Sequence, residues 1–227
     1  MVNVLSDNLR YEQKMVFDAL RLDEVRSWVY THPVVFRVAF PPRRVNNIYF
    51  DTLNRQLMVD HIQGVAARDK ARFRWYGETW QAENGQIEVK KKIGRLGYKR
   101  IQPVPGQIDL DRFSWREIVG LLKRQSDKDF AALFDSFFPS LINHYQREYY
   151  VSMDGKIRVT LDYGMAAFEQ SFGFAPNIRF PQPQRNDVVI EMKAAKEHHR
   201  QIADALAAFP LRCLQNSKYL NGMEYAV

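Results

Sequence analysis

Residues 145–162, YQREYYVSMDGKIRVTLD, decide how this chain folds. Two alternating runs flank Asp154-Gly155, a dipeptide suited to a tight hairpin turn. A two-residue turn pairs Met153 with Lys156, Val151 with Arg158, Tyr149 with Thr160 and Arg147 with Asp162. Tyr145, Arg147, Arg158 and Asp162 then share one face. Val159 and Leu161 lie on the other. The hairpin is therefore apolar on one side and charged on the other.

The same pattern spreads outward in both directions. Arg10–Phe17 (RYEQKMVF) alternates, Val45–Phe50 (VNNIYF) is rich in β-formers, and Ala71–Tyr76 (ARFRWY) leads through Gly77 toward Asn84-Gly85 and Ile87–Lys92 (IEVKKK). Tyr98–Gln102 is a further short strand, and Val188–Lys193 (VVIEMK) closes a set of about eight. Asn84-Gly85 reads as a hairpin turn. A two-residue turn there would put Arg72 and Arg74 opposite the face of Glu88 and Lys90. An odd-length loop with a bulge at Gly85, or a bulge at Gly77, would restore a common face.

Helices are fewer. Asp23–Thr31 and Leu53–Gln63 read as short connectors, with Asp51 turning the chain into the second. Ser114 and Glu117 form a capping-box pattern over Ser114–Lys123. Asp127–Phe137, Ala194–Phe209 and Lys218–Glu224 complete the set, while Pro103–Pro105 and Phe174–Pro183 read as loops. Strands that dominate, with helices between them, give an α+β fold on an antiparallel sheet or barrel. No linker divides the chain, so residues 1–227 are expected to form one domain.

Side chains two apart on a strand share a face. Glu12 pairs in this way with Lys14, Arg72 with Arg74, Glu88 with Lys90 and Lys92, Arg158 with Thr160 and Asp162, and Glu191 with Lys193. A solvated outer face explains one such strand. Its recurrence on five, with Arg prominent and large apolar residues opposite, fits a barrel whose interior is polar and whose exterior is covered by helices. Such an interior, rich in cations and poor in carboxylates, calls for a polyanion, and its carboxylates suit Mg2+ or Mn2+.

The 227 residues carry 33 Lys+Arg against 26 Asp+Glu, a net charge of +7, which also points to anionic partners. At 46% hydrophobic the chain can bury a core. The one cysteine, Cys213, excludes an internal disulfide and a Cys-based zinc site. Neither an apolar leader nor a spanning segment is evident, so a cytoplasmic setting is expected. His198-His199 reads as a solvated face. Trp28, Trp75, Trp80 and Trp115 read as packing residues. Lys91 points away from Lys90 and Lys92, which disfavours a nucleic-acid patch.

Eight segments in order carry a resemblance. RYEQK, IYFDT, ARFRWYG, IEVKKK, YQREYY, IRVTLD, VVIEMK and SKYLNG are similar to the motifs of the VTC domain, the polyphosphate polymerase domain of the vacuolar transporter chaperone complex and its bacterial relatives. The likeness spans nearly the whole chain. It implies a triphosphate-tunnel fold of the CYTH-like superfamily. It also implies transfer of the γ-phosphate of ATP to inorganic polyphosphate with Mn2+ or Mg2+. By matching motif, the phosphate ligands would be Lys14, Arg72, Arg74, Lys90, Lys99, Arg147 and Arg158, with Lys218 at the tunnel end. Arg72, Arg74, Arg147 and Lys218 would be catalytic. Tyr145 and Ser217 would add hydroxyls, and Glu191 and Glu12 would hold the metal.

The sequence departs from relatives in two places. Hydrolytic members of the superfamily begin Glu-x-Glu-x-Lys, whereas Arg10 opens the motif here. That substitution removes a metal carboxylate and favours polymerisation. Gln215 stands where active polymerases carry a further Lys, which keeps a non-catalytic polyphosphate-binding module among the alternatives, beside a triphosphate hydrolase. No segment corresponds to the sensor domain or membrane helices of the eukaryotic complex. Regulation and translocation are expected either from other chains or not at all; the first alternative brings a separate membrane protein as a partner and a peripheral place at the inner face of a membrane.

Overall fold

In the computed structural model, which describes residues 10–93, 96–170, 173–207 and 218–223, the period-two segments become eight strands. In chain order the elements are β1 (Arg10–Asp18), α1 (Leu22–Thr31), β2 (Phe36–Asp51), α2 (Gln56–Ile62), β3 (Ala67–Tyr76), β4 (Gln81–Ile93) and β5 (Leu96–Asp109). They continue with α3 (Trp115–Arg124), α4 (Lys128–Leu133), β6 (Phe138–Ser152), β7 (Ile157–Glu169), β8 (Asp187–Ala195), α5 (His199–Ala207) and α6 (Lys218–Met223). The strands are hydrogen-bonded in the order β1-β8-β7-β6-β2-β3-β4-β5. The ladders β1–β8, β8–β7, β2–β3, β3–β4 and β4–β5 are all antiparallel. This is the expected α+β architecture.

The chain reverses around Asp154-Gly155 as expected, but through a four-residue loop, Met153–Lys156, rather than a two-residue turn, since β6 ends at Ser152 and β7 begins at Ile157. Gly155 takes a positive φ of 74°, its N–H donates to the Ser152 carbonyl at 2.9 Å, and Asp154 accepts from Ser152 Oγ and the Lys156 amide. The expected Asn84-Gly85 turn does not form there. The chain reverses at 77–80, and Asn84-Gly85 lies within β4. Arg72 then faces Glu88 and Arg74 faces Gln86, so the common face is restored. A bulge does sit at Glu83/Gly85, on the β5 side. A Cβ at Gly85 would strike the Phe73 ring, so glycine here is required by packing rather than by a turn.

Three other expectations need correction. The Pro103–Pro105 stretch is strand, not loop, because β5 stands last in the sheet order and its outward N–H positions serve no ladder. β2 begins at Phe36 rather than Val45. Its Pro41-Pro42 pair lies beyond Val45–Tyr76, the outermost β2–β3 pair. β8 runs on through Ala195, so the helix expected from Ala194 starts at His199 after a 3₁₀ turn, Lys196–His198.

The chain forms two compact units, each drawn from three segments. One comprises Met1–Arg43, Tyr145–Met165 and Arg185–Ser217. The other comprises Arg44–His144, Ala166–Gln184 and Lys218–Val227. In the first unit, Met15, Val159, Leu161, Ile190 and Met192 project from one sheet face onto Val25 and Val29 of α1 and Ile202 and Ala205 of α5. In the second, Ile48, Phe73, Trp75, Ile87 and Val89 meet Ile118 and Leu122 of α3 and Phe130 of α4. Trp80 and Trp115 pack on this second core, and Trp28 packs on the first. Burial of these faces fixes the strand register, because a one-residue slip would exchange apolar and charged sides.

Local capping agrees with the sequence. Ser114 and Glu117 close a reciprocal capping box on α3, and Asp127 caps α4. Asp51, fully buried, accepts from the amides of Thr52, Leu57 and Met58 and so turns β2 into α2.

Candidate functional site

In the second unit the strand registers build a polar lattice. Tyr49, Arg72 and Glu88 form one row across β2, β3 and β4. Asn47, Arg74 and Gln86 form the next, and Lys70, Lys90 and Lys99 form a third across β3, β4 and β5. The alternate positions Ile48, Phe73 and Ile87 lie in the core beneath.

Glu88 is the centre of this lattice. Its carboxylate, 2% exposed, accepts from Arg72 Nε at 2.6 Å, Lys99 Nζ at 2.8 Å and Gln86 Nε2 at 2.7 Å, and Arg74 Nη1 lies 3.8 Å away. Burial pushes this carboxyl up, but the opposing charges of Arg72, Arg74 and Lys99 outweigh it and hold Glu88 well below the usual carboxylate range. The Lys99 ammonium is lowered by partial burial, which its attraction to Glu88 only offsets in part. Lys90 is exposed in the row beyond. Around one carboxylate this face thus presents Arg72, Arg74 and Lys99, with Lys70 and Lys90 in the adjacent row.

Arg74 is buried, and its Nε donates to Asn47 Oδ1 at 2.8 Å. Asn47 Nδ2 donates in turn to Asn143 Oδ1 at 2.8 Å, and Asn143 Nδ2 approaches the Lys218 carbonyl at 3.5 Å. The buried amides of Asn47 and Asn143 therefore link Arg74 to the first residue of α6. Arg72 Nη1 also reaches Tyr49 Oη at 3.4 Å.

The first unit carries a lattice of the same kind. Glu12, Lys193 and Arg158 form one row across β1, β8 and β7, and Lys14, Glu191 and Thr160 form the next. Glu191 lies 2.9 Å from Lys193 Nζ and 4.0 Å from both Lys14 Nζ and Arg147 Nη2. Glu12 lies 3.2 Å from Lys14 and 3.9 Å from Lys193. Arg147 holds the fully buried Asp162 in a two-pronged grip. Its guanidinium stands 5.2 Å from the ring centre of buried Tyr145 and 6.0 Å from that of Tyr149. Burial disfavours the Arg147 charge, and Asp162 more than compensates, so its affinity for the proton rises further. Burial pushes Glu191 up, while its contact with Glu12 and the charges of Lys193, Lys14 and Arg147 hold it well below the ordinary range. Arg158 is exposed at the outer row.

The metal reading can be tested on Glu12 and Glu191. Among the described residues, no group of three or more His, Cys, Asp or Glu surrounds a single point. Two carboxylates within contact of one another are nonetheless a fitting oxygen donor set for Mg2+ or Mn2+, which commonly take one or two carboxylates and complete their shell with phosphate oxygens and water. Ser217, Gln215 and Cys213 lie outside the described residues.

Residue-level reading placed Lys14, Arg72, Arg74, Lys90, Tyr145, Arg147 and Arg158 on polar strand faces, and the structure places them there; Lys99, which only the resemblance suggested, lies opposite Lys90 on the same face. That reading missed the roles of Glu88, Asp162, Asn47 and Asn143. Glu88 and Asp162 were visible as face positions but not as the hubs of the cations. The signal for Asn47 was its place between Val45 and Tyr49, where a polar side chain shares Tyr49's face.

Comparison with known proteins agrees with the fold. The family model of the VTC domain matches residues 9–227. No curated protein matches in sequence. Among solved structures, a candidate adenylate cyclase from Bacillus halodurans superposes with a TM-score of 0.57 at 13% identity, covering 95% of this chain and 96% of its own. A Pyrococcus horikoshii protein gives 0.53 at 14% identity, covering 96% and 100%. A candidate adenylyl cyclase from Hippeastrum, whose dominant activity is that of a triphosphatase, gives 0.50 at 15% identity, covering 95% and 96%. At these identities the likeness is one of fold, the triphosphate-tunnel fold that the sequence resemblance implied.

Proposed function

This chain belongs to the VTC-domain family, and from that premise we propose that it is an ATP-dependent polyphosphate polymerase. The observation that carries the reading is the crowding of Arg72, Arg74 and Lys99 around Glu88, with Lys70 and Lys90 in the next row. Cations held this close repel one another, and a phosphate chain supplies the charge that relieves them.

In the proposed reaction a terminal oxygen of the acceptor chain attacks the γ-phosphorus of ATP. The bond from that phosphorus to the β–γ bridging oxygen breaks, ADP leaves with the oxygen, and the acceptor grows by one phosphate. Phosphoryl transfer needs positioning and neutralised oxygens more than covalent help. Arg72, Arg74, Arg147 and Lys218 take the catalytic part, meeting negative charge on the transferred group. Lys14, Lys90, Lys99 and Arg158 hold the remaining phosphates, and Tyr145 and Ser217 add hydroxyl contacts. Asp162 and Asn47 fix Arg147 and Arg74 in advance, so their geometry costs little at the moment of reaction. Glu12 and Glu191 would hold Mn2+ or Mg2+, which supplies further neutralisation of phosphate charge when bound.

Among the described residues no helix is long and apolar enough to cross a membrane. The reading places the chain in the cytoplasm, at the inner face of a membrane beside a separate membrane protein. Incubation with ATP and Mn2+ tests the activity, with polyphosphate resolved by gel and ADP and free phosphate assayed in parallel. Chains with ADP and little free phosphate are expected. Free phosphate without chains would instead select hydrolysis, the activity named for the Hippeastrum neighbour. Binding of added polyphosphate with no turnover would select a receptor.

A further inference from the structure

The Arg147 guanidinium does not end the polar lattice of the first unit. Beyond it the side chains alternate between ring and cation. Tyr149 lies 6.0 Å from Arg147, and Arg43 stands 4.9 Å from the Tyr149 ring centre and donates from Nε to its hydroxyl at 3.2 Å. Phe40 follows, its ring edge-on to Tyr149 at 5.8 Å and 86°, with Arg43 5.9 Å from its centre. Phe40 is 57% exposed.

We propose that Phe40 and Arg43, with Tyr149 behind them, form a stacking platform for the base of a nucleoside triphosphate, which sets this substrate apart from bare polyphosphate. The proposal rests on the phosphate-binding reading of Arg147 given above. A single exposed phenylalanine would be unremarkable. This one differs in its setting. It is held edge-on against a tyrosine whose own position is fixed by a hydrogen bond, so its open face is presented in one orientation. The ladder interposes cations between the rings, which suits it poorly to a continuous apolar partner. It suits a flat π-system that carries negative charge, because the rings stack on the base while the guanidinium groups meet its phosphates. Its inner end is the arginine gripped by Asp162, so one ligand can lay its base on Phe40 and run its phosphates toward Arg147.

The experiment is binding calorimetry with the β,γ-imido analogue of ATP, the same analogue of UTP and inorganic tripolyphosphate, on wild type, Phe40→Ala, Phe40→Trp and Arg147→Met. Phe40→Ala should weaken the ATP analogue about ten-fold, as loss of one base stack implies, and leave tripolyphosphate within about two-fold. Phe40→Trp should restore or exceed wild-type affinity for the ATP analogue. The purine should bind more tightly than the pyrimidine. Arg147→Met should weaken every ligand. If Phe40→Ala leaves the ratio of ATP-analogue to tripolyphosphate affinity unchanged, or Phe40→Trp fails to rescue it, the platform is wrong while the phosphate site stands. If wild type binds neither nucleotide nor tripolyphosphate, the phosphate reading falls and the platform with it.

Discussion

Arg147 and Asp162 face each other across β6 and β7 with two nearly parallel hydrogen bonds, Nε to Oδ1 at 2.5 Å and Nη2 to Oδ2 at 2.7 Å. Asp162 is fully buried and Arg147 nearly so. Such a pair is costly to break from one side, because the surviving charge is left desolvated. Asp162→Asn should therefore cost about 3–5 kcal/mol in urea unfolding. Replacing both, as Arg147→Met with Asp162→Leu, should recover most of that stability. It should not recover affinity for tripolyphosphate. A double variant that regained phosphate binding would remove Arg147 from the site and leave the pair a purely structural device.

Glu88 tests the opposite balance. Its carboxylate holds Arg72, Arg74 and Lys99, and on the proposed function it competes with substrate for them. In Glu88→Gln the three cations should repel, lowering stability, while added tripolyphosphate binds about ten-fold more tightly at low salt. The gain should shrink as ionic strength rises. Unchanged affinity, measured across a salt series, would mean that a phosphate chain does not meet these three side chains.

How much of this was legible beforehand depends on which force set each feature. Alternation in Ile157–Asp162 and Val188–Lys193 was readable because burial of one face leaves little choice of register. The reversal around Asp154-Gly155 was readable because its backbone needs a residue that accepts positive φ, and Gly155 supplies it, though the loop spans four residues rather than two. Asn84-Gly85 misled for a related reason. Asn84 does adopt a positive φ of 47°, but the strand continues through it as a bulge, and the pressure on Gly85 comes from Phe73, a long-range contact no local pattern contains. Pro103 and Pro105 misled because only the sheet order shows that β5 has an outer edge to spare. At the site, Lys14, Arg72, Arg74, Lys90, Arg147 and Arg158 could be placed by parity alone, whereas Lys99 came only from the resemblance. Their hubs could not be placed so, since nothing in the spacing of Glu88 or Asn47 says that Arg72, Arg74 and Lys99 will converge there.

His144 gives a pH signature separable from the carboxylates. It lies against Trp80 and Phe168 in the second unit. Burial, reinforced by the nearby charge of Arg44, lowers its pKa to about 4. Between that value and the ordinary histidine value of about 6.5, the unfolded chain binds a proton that the folded chain does not. Stability is therefore full above the unfolded value and falls as pH drops from about 6.5 to about 4, by about 2–3 kcal/mol. Chemical denaturation at a series of pH values should show this slope in wild type and lose it in His144→Phe. The depressed carboxylates Glu88 and Glu191 act lower. Their contribution is present above the unfolded glutamate value of about 4.3 and is lost as pH falls through their folded values, so an acid limb below about pH 4.5 should survive in His144→Phe. A slope that persists unchanged between pH 6.5 and 4.5 in that variant would assign it elsewhere.

Gly222 links packing to the site through α6. A Cβ there would lie 2.6 Å from Leu141 Cδ2 and 3.2 Å from the Ala167 Cβ, both on buried strand positions. Met223, the next residue, is buried in a small core with Tyr49, Met58, Leu141 and Ala167. The helix therefore sits as close to the sheet as a bare Cα allows. Its first residue, Lys218, is the one whose carbonyl receives Asn143, at the end of the amide chain that begins at Arg74. Gly222→Ala should push α6 outward, at a cost of about 1–3 kcal/mol typical of overpacking. It should also displace Lys218 without touching its charge. On the proposed reaction, in which Lys218 acts on the transferred group, the expected kinetic signature is a fall in kcat of about ten-fold or more with KM for ATP nearly unchanged, since Arg72, Arg147 and Lys14 keep their anchors. Gly222→Ala combined with Leu141→Ala, which opens the space the new methyl needs, should restore kcat in part. If relief of the clash restores stability but not turnover, Lys218 is not positioned by this contact, and the role assigned to α6 fails.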